Sequence, residues 1–513
     1  MLEMLQVSLA YRLLDRLLAN AIEGIKQSGF WALCRFVAEK WRVFTSASAV
    51  ARVVRVMGRS LAGGTRESLI LSLILSIKDG TERSKSSLCY RGYRRVMRGI
   101  YAVLRVFRLD RVPQESIFAK PVVWCVLTVT LAPLLPTMAV LGFVLAGGLA
   151  LLLEMMRRDS VDVAWFSGNK YLYAYVLLYL LMTGAFLWRG GSLQATALTV
   201  AFMLFAVQLM NVIQTRDMLK TMLGLLTAVG AIVALIGLYQ FFVSGAQTAS
   251  SWVDREAFDI ATRVYSTLGN PNVLGTYFVL ILPFATVFLI AARGRVLRLF
   301  SMLALLAMGA ALVLTYSRGA YLGILIAMAL FFVLLDKRLI VPGILAVGIA
   351  IILMPDAVIG RFLSIGDMTD TSTVFRVSIW IGAGAMIRDH WLIGIGPGEG
   401  AWWAVYPAYA LPAVSTEHTH NLFLQVLAEF GVLGFLIFLL ILYHFYKNVI
   451  VTIRDDWGEA RLVAIAAISA MTGVLVMGMW DYALYNFRLQ LLFWAILAIG
   501  LVNRKLGSKE VAA

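Results

Sequence analysis

Cysteine is scarce in this 513-residue chain. The three that occur, Cys34, Cys89 and Cys125, stand far apart and without metal-ligand spacing, so neither a disulfide framework nor a cysteine zinc site is supported. Charge is scarce as well: Asp, Glu, Lys and Arg together make 14% of the residues, against about 25% in a soluble domain. Histidine occurs four times. Lysine is missing altogether from residues 355–421, a stretch that still holds three arginines and three of those histidines, His390, His418 and His420. The opening residues lack a clean apolar region followed by a small-residue cleavage site, which speaks against a cleavable signal peptide. The apolar run LILSLILSI at 69–77 is too short to cross a bilayer.

What is abundant is apolar sequence, at 61% of the chain. Runs near the 20 residues needed to span a bilayer recur along it. The reading is an all-α polytopic membrane protein of about twelve transmembrane helices, at approximately 121–135, 137–155, 171–188, 193–213, 221–243, 273–292, 298–315, 320–335, 339–354, 421–445, 462–479 and 489–503. Residues 355–421 then form a long extracytoplasmic loop between helices nine and ten. Alternate connections carry Arg157, Arg158 and Lys170; Arg216 and Lys220; Arg293 and Arg295; Lys337 and Arg338; Lys447, Arg454 and Arg461. Positive charge favours the cytoplasmic side, so both termini are placed there, with a short cytoplasmic tail at 506–513. The opposite connections carry Arg189, Arg255, Arg263, Arg318, Arg361, Arg376, Arg388 and Arg488 and no lysine. A guanidinium fork binds phosphate or carboxylate in bidentate fashion and stays charged when partly desolvated, which suits an anion-binding outer face.

Most of the basic excess is local. Of the formal net charge of +16, +12 lies in residues 1–120. Residues 1–119 read as a basic amphipathic cytoplasmic segment, with Leu, Val and Phe among Arg at helical spacing in stretches such as YRRVMRGIYAVLRVF. Such helices lie on membrane surfaces and contact lipid headgroups; nucleic acid is not an expected partner.

Within the long loop, Arg376 stands in a stretch that reads as a helix with Ser372 or Thr373 as its N-cap. Residues 376, 380, 383 and 387 share one face of it, lying on the membrane or lining a cavity. Arg318 sits in LTYSRGAYLG at a turn between two spans, where a snorkelling side chain is the plain alternative. GIGPGEG at 394–400 has GxG but neither a GK[ST] ending nor a preceding strand, so it is a weak phosphate motif, and a tight turn accounts for its glycines equally well. Trp402, Trp403, Tyr406 and Tyr409 fit either interfacial anchoring or stacking on a sugar ring. In EHTHN, His418 and His420 are candidate general bases. A two-histidine metal site is the rival, disfavoured because the pair is not one helical turn apart and only Glu417 and Glu399 support it.

LTYSRGAYLG, FRVSIWIGAGAMIRDHWLIGIGPGEG and HTHNLFLQVLAEFGVLGFLIF resemble, in this order, the signature blocks of the O-antigen ligase and polymerase superfamily. RVYSTLGNPNVLGTYFVLILP at 263–283 is similar to an upstream block, so the resemblance covers residues 120–505. It implies an enzyme that moves a glycan from an undecaprenyl-diphosphate-linked donor to a glycan, lipid or protein acceptor at the outer face of the bacterial cytoplasmic membrane. Inversion at the anomeric carbon and no metal or cofactor are expected. By position, Arg318 and Arg376 would hold the donor diphosphate. His420 would act as base or orient the acceptor, with His418 its less certain partner and Asn421, Trp402, Trp403 and Tyr406 as sugar or acceptor contacts. A polymerase of the same superfamily is the first alternative. Anion transport of the bicarbonate kind is another, although the chain shows no convincing inverted repeat and few ionisable residues within its spans. A structural scaffold for envelope assembly is a third.

Overall fold

The computed structural model describes residues 88–113, 115–158, 170–187, 192–244, 262–353, 358–360 and 371–512. Arg189, Arg255, Arg361 and residues 1–87 of the basic segment lie outside them. The described chain divides into two units. The smaller contributes only residues 88–91 and 336–345 to the description, and the larger holds Gly92–Leu335 and Ala346–Ala513.

Among the described residues the fold is helical, with no strand. The principal helices are α1 (Leu88–Val106), α2 (Pro121–Leu131), α3 (Thr137–Arg157), α4 (Lys170–Phe186), α5 (Leu193–Val212), α6 (Arg216–Tyr239), α7 (Pro271–Ala291), α8 (Arg295–Val313), α9 (Arg318–Leu335), α10 (Ile340–Leu353), α11 (Thr371–Asp389), α12 (Glu399–Val405), α13 (Leu422–Asp455), α14 (Glu459–Met477) and α15 (Phe487–Ala512). Each of the twelve expected spans falls on a helix, but among the described residues only nine helices are long and apolar enough to cross a membrane; α2 and α4 are shorter apolar helices, and α10 has 14 residues. The chain is a multi-pass membrane protein. α1 covers the YRRVMRGIYAVLRV part of the basic segment; it buries Met97 and Tyr101 against Leu153, Met155 and Met156 at the end of α3 and leaves Arg94, Arg95, Arg98 and Arg105 exposed.

One end of the larger unit gathers lysines. Lys220 pairs with Glu459, Arg216 donates to Asn503 Oδ1 at 2.7 Å, and Lys505 Nζ donates to the Met210 carbonyl at 3.0 Å. The start of α9, the start of α13 and the end of α14 meet at the other. Gly323 and Gly473 bring α9 and α14 together backbone to backbone: a Cβ on Gly473 would stand 2.7 Å from the Gly323 carbonyl oxygen. At the start of α9 a Cβ on Gly319 would stand 3.3 Å from Met477, the last residue of α14.

α13 is broken at Gly431, whose φ of 60° and ψ of −165° interrupt the helix. A break leaves carbonyls and N–H groups without intrahelical partners, and in a membrane protein these must be satisfied by the chain itself. The segment Trp391–Gly396 does this. Ile395 and Gly396 N–H donate to the Ala428 and Glu429 carbonyls at 2.9 and 3.1 Å, and Val432 N–H donates to the Trp391 carbonyl at 2.8 Å. The first two glycines of GIGPGEG are therefore needed for close packing: a Cβ on Gly394 would lie 2.5 Å from the Glu429 carbonyl. A Cβ on Gly431 would meet the Leu392 carbonyl group at 2.4 Å. Gly431→Ala is accordingly expected to lower the melting temperature of the purified protein sharply, since the backbone strain alone costs about 1–3 kcal/mol and the clash adds to it. Gly142→Ala, in α3 with open space around it, is the control and should leave the melt unchanged or raised.

Candidate active site

The residues between α11 and α13 fold on a small apolar core of their own. Ile379, Ala383 and Met386 of α11 pack with Ile395, Trp402, Tyr406 and Ala428. The face of α11 that carries residues 376, 380, 383 and 387 is thus turned inward. Trp402 and Tyr406 are each 1% exposed and stack on one another with ring centroids 4.4 Å apart. Their flat faces are spent on this core. Trp402 Nε1–H donates to the Thr416 carbonyl at 2.8 Å, and Trp380 Nε1–H to the Thr419 carbonyl at 2.9 Å. Two indoles therefore hold the backbone of the histidine loop from below. Trp403 stays 40% exposed, with its indole N–H on Glu399.

From the other side the loop is pinned by α13. Asn421 is the N-cap: its Oδ1 accepts from Phe423 and Leu424 N–H at 2.9 and 3.0 Å, and its Nδ2 donates to the Met479 carbonyl at 2.8 Å. The amide of Asn421 is engaged with the chain at both ends. Thr419 N–H donates to Gln425 Oε1 at 2.9 Å, and Gln425 Nε2 donates to Glu429 at 3.0 Å. Held this way, His420 adopts φ 49°, a left-handed conformation that non-glycine residues rarely keep without surrounding constraint.

His420 Nδ1 lies 3.2 Å from Asp481 Oδ1, on the turn after α14. That carboxylate also accepts from its neighbour's N–H, Tyr482 N, at 2.8 Å. Burial by itself would raise the Asp481 carboxyl, but the hydrogen bond and charge of His420, with the positive field of Arg376, hold it well below the usual carboxylate range. A carboxylate at Nδ1 fixes the tautomer in which Nδ1 carries the proton and Nε2 is the acceptor. His418 is placed differently. Its ring lies 4.2 Å from that of His420, its Nδ1 accepts the His420 backbone N–H at 3.3 Å, and it stacks on Tyr485 at 5.0 Å. Burial, then the neighbouring His420 and Arg376, push its pKa down to about 4.

This shift carries a stability prediction. Unfolded, His418 takes up a proton near its ordinary value of 6.5; folded, it resists until about 4. The unfolded state binds the extra proton within that window, so the contribution of His418 to stability falls as pH drops from 6.5 to 4 and is fully present above it. Measured as the difference between wild type and His418→Gln in thermal melts, that loss should appear as a wild-type melting temperature that drops relative to the variant across this range. The depressed Asp481 acts only below its unfolded value of 3.8, which keeps the two windows apart.

The arginines meet through Ser372. α11 begins at Thr371, so Ser372 lies in its first turn. Its hydroxyl oxygen accepts from Arg376 Nη1 at 2.9 Å and from Arg318 Nη2 at 3.3 Å. Two cations converging on one oxygen mark a position where an anionic oxygen is favoured. Arg263 and Arg488 belong to the scaffold: Arg263 donates to the Thr315 carbonyl and Asn272, and Arg488 donates to the Leu135, Thr267 and Leu268 carbonyls. Asp481 and Ser372 were missed by sequence reasoning as site residues. Asp481 did carry a signal, being the sole acid between Glu459 and Glu510 and standing just past an apolar helix.

Residues 303–439 match the family model described as O-antigen ligase, a segment that contains Arg318, Ser372, Arg376, His418 and His420. That segment is O-antigen ligase-like. No curated protein matches the chain. The O-antigen ligase-like segment ends within α13, so Asp481 reaches the site from outside it.

Proposed function

We propose that the protein transfers a glycan from a lipid diphosphate carrier, undecaprenyl diphosphate in a bacterial cytoplasmic membrane, to an acceptor hydroxyl on the outer side. The observation that carries this reading is the juxtaposition of two kinds of group at one end of the bundle: guanidinium groups converging on a single oxygen, and a histidine oriented by a buried carboxylate. Arg318 and Arg376 bind the diphosphate. His420 Nε2 accepts the proton of the acceptor hydroxyl as that oxygen attacks the anomeric carbon. The bond from this carbon to the diphosphate oxygen breaks, and its electron pair leaves on the diphosphate, whose charge the guanidiniums stabilise. Asp481 stabilises the imidazolium so formed, and His418 positions the His420 backbone. Attack opposite the leaving group inverts the anomeric carbon. A pair of catalytic carboxylates of the glycosidase kind is not required, because the leaving group is already an anion that needs no proton.

The test is reconstitution of the purified protein with lipid-linked glycan extracted from the host cells' own membranes. Transfer of the glycan, with release of the lipid diphosphate and no loss of rate in EDTA, is the expected result. Recovery of the donor unchanged, together with uptake of labelled bicarbonate into the same proteoliposomes, would favour an anion transporter instead.

A further inference from the structure

The acceptor must bring a hydroxyl to His420 Nε2, so whatever binds the rest of the acceptor has to lie beside that ring. Trp402 and Tyr406 do not qualify, since each is 1% exposed and faces the other. A different aromatic side chain meets both conditions. Phe375 is 39% exposed, and its ring stands edge to face with His420 at a centroid distance of 6.5 Å. It begins a run of rings, Phe375, His420, His418 and Tyr485, with successive centroid distances of 6.5, 4.2 and 5.0 Å. Phe375 and Tyr485, both 39% exposed, end this run, while His418 is 9% exposed. Phe375 also precedes Arg376 in α11, and consecutive helical residues are turned about 100° apart. One therefore addresses the anion position at Ser372 and the other the imidazole.

We propose that Phe375 is the acceptor platform, and that the acceptor presents a sugar ring: the apolar C–H face of a pyranose rests on the phenyl ring while one hydroxyl reaches His420. This rests on the transferase reading and adds to it the side chain that seats the acceptor beside His420. An exposed phenylalanine in a membrane protein has an ordinary alternative use, contact with lipid. Leucine serves that use as well as phenylalanine does, but it offers no flat ring. Phe375→Leu therefore separates the two.

The experiment uses the full-length protein in proteoliposomes, with host lipid-linked glycan as donor and, as acceptor, delipidated envelope glycan from cells lacking the gene. Phe375→Leu is expected to raise the acceptor KM about 3- to 10-fold, the scale of a lost ring-stacking contact, with kcat within about twofold of wild type and the donor KM unchanged. Phe375→Tyr and Phe375→Trp should restore the acceptor KM. An unchanged acceptor KM in Phe375→Leu overturns the proposal, as does an effect confined to the donor KM. If the wild-type protein glycosylates a membrane protein and no glycan, the platform is wrong while the transferase reading stands. If it transfers nothing from the lipid-linked donor, both fall.

Discussion

His420→Ala is expected to slow glycan transfer by about 10²- to 10⁴-fold, the usual contribution of a positioned general base, while binding of a lipid diphosphate stays near wild type. The separation follows from the geometry. His420 is tied to Asp481, whereas the guanidinium groups meet at Ser372 on another element. Asp481→Asn tests the same arrangement without removing the base: the amide keeps the shape but not the charge that stabilises an imidazolium. Its kcat should lie between wild type and His420→Ala, and its donor affinity should again be retained. His418→Gln should retain more activity than His420→Ala, because His418 supports the His420 backbone and is not assigned the proton. Transfer at the wild-type rate by His420→Ala, measured with purified donor, would remove the histidine from the chemistry.

The helical architecture was legible because a span is a local property: a run of apolar residues long enough for a bilayer is visible in the sequence itself. The site was legible only in part. Arg318, Arg376 and the two histidines drew attention because polar chemistry is rare in such a chain. Other roles depend on pairings that no local pattern displays. The GIGPGEG glycines could be read as a turn, but not as the backbone that satisfies a break in α13 some 35 residues later. Trp402 and Tyr406 looked like interfacial or sugar-stacking rings, since an aromatic residue in a loop has the same sequence appearance whether it is buried or exposed. Ser372 or Thr373 was expected as the cap of α11, yet the helix begins at Thr371 and Ser372 receives both arginines. Asp481 lies 61 residues from its partner His420, on the turn after α14, the helix that packs closely on α9 through Gly323 and Gly473.

Changing Arg318 or Arg376 to lysine is expected to reduce transfer about 10²- to 10³-fold, the cost of removing one donor to a developing negative charge, although the formal charge is preserved. The guanidinium offers a planar fork that grips two phosphate oxygens at once, and lysine supplies a single strongly hydrated point charge. The present contacts sharpen the expectation. Arg376 reaches Ser372 from within its own helix, while Arg318 reaches the same hydroxyl from α9. The two forks therefore approach one oxygen from different elements, and an ammonium on a flexible stem cannot reproduce either direction together with a second bond. Affinity for lipid diphosphate should fall in both variants, opposite to the behaviour of His420→Ala. The double variant should lose less than the product of the two single losses, because groups acting on one charge are not additive. Ser372→Ala is the companion measurement. It removes the hydroxyl that both arginines share yet leaves their charges in place, so a loss much smaller than either arginine variant is expected. If both lysine variants instead bound and transferred as wild type, the anion at this position would be held by charge alone, and the bidentate grip on the diphosphate would have to be abandoned.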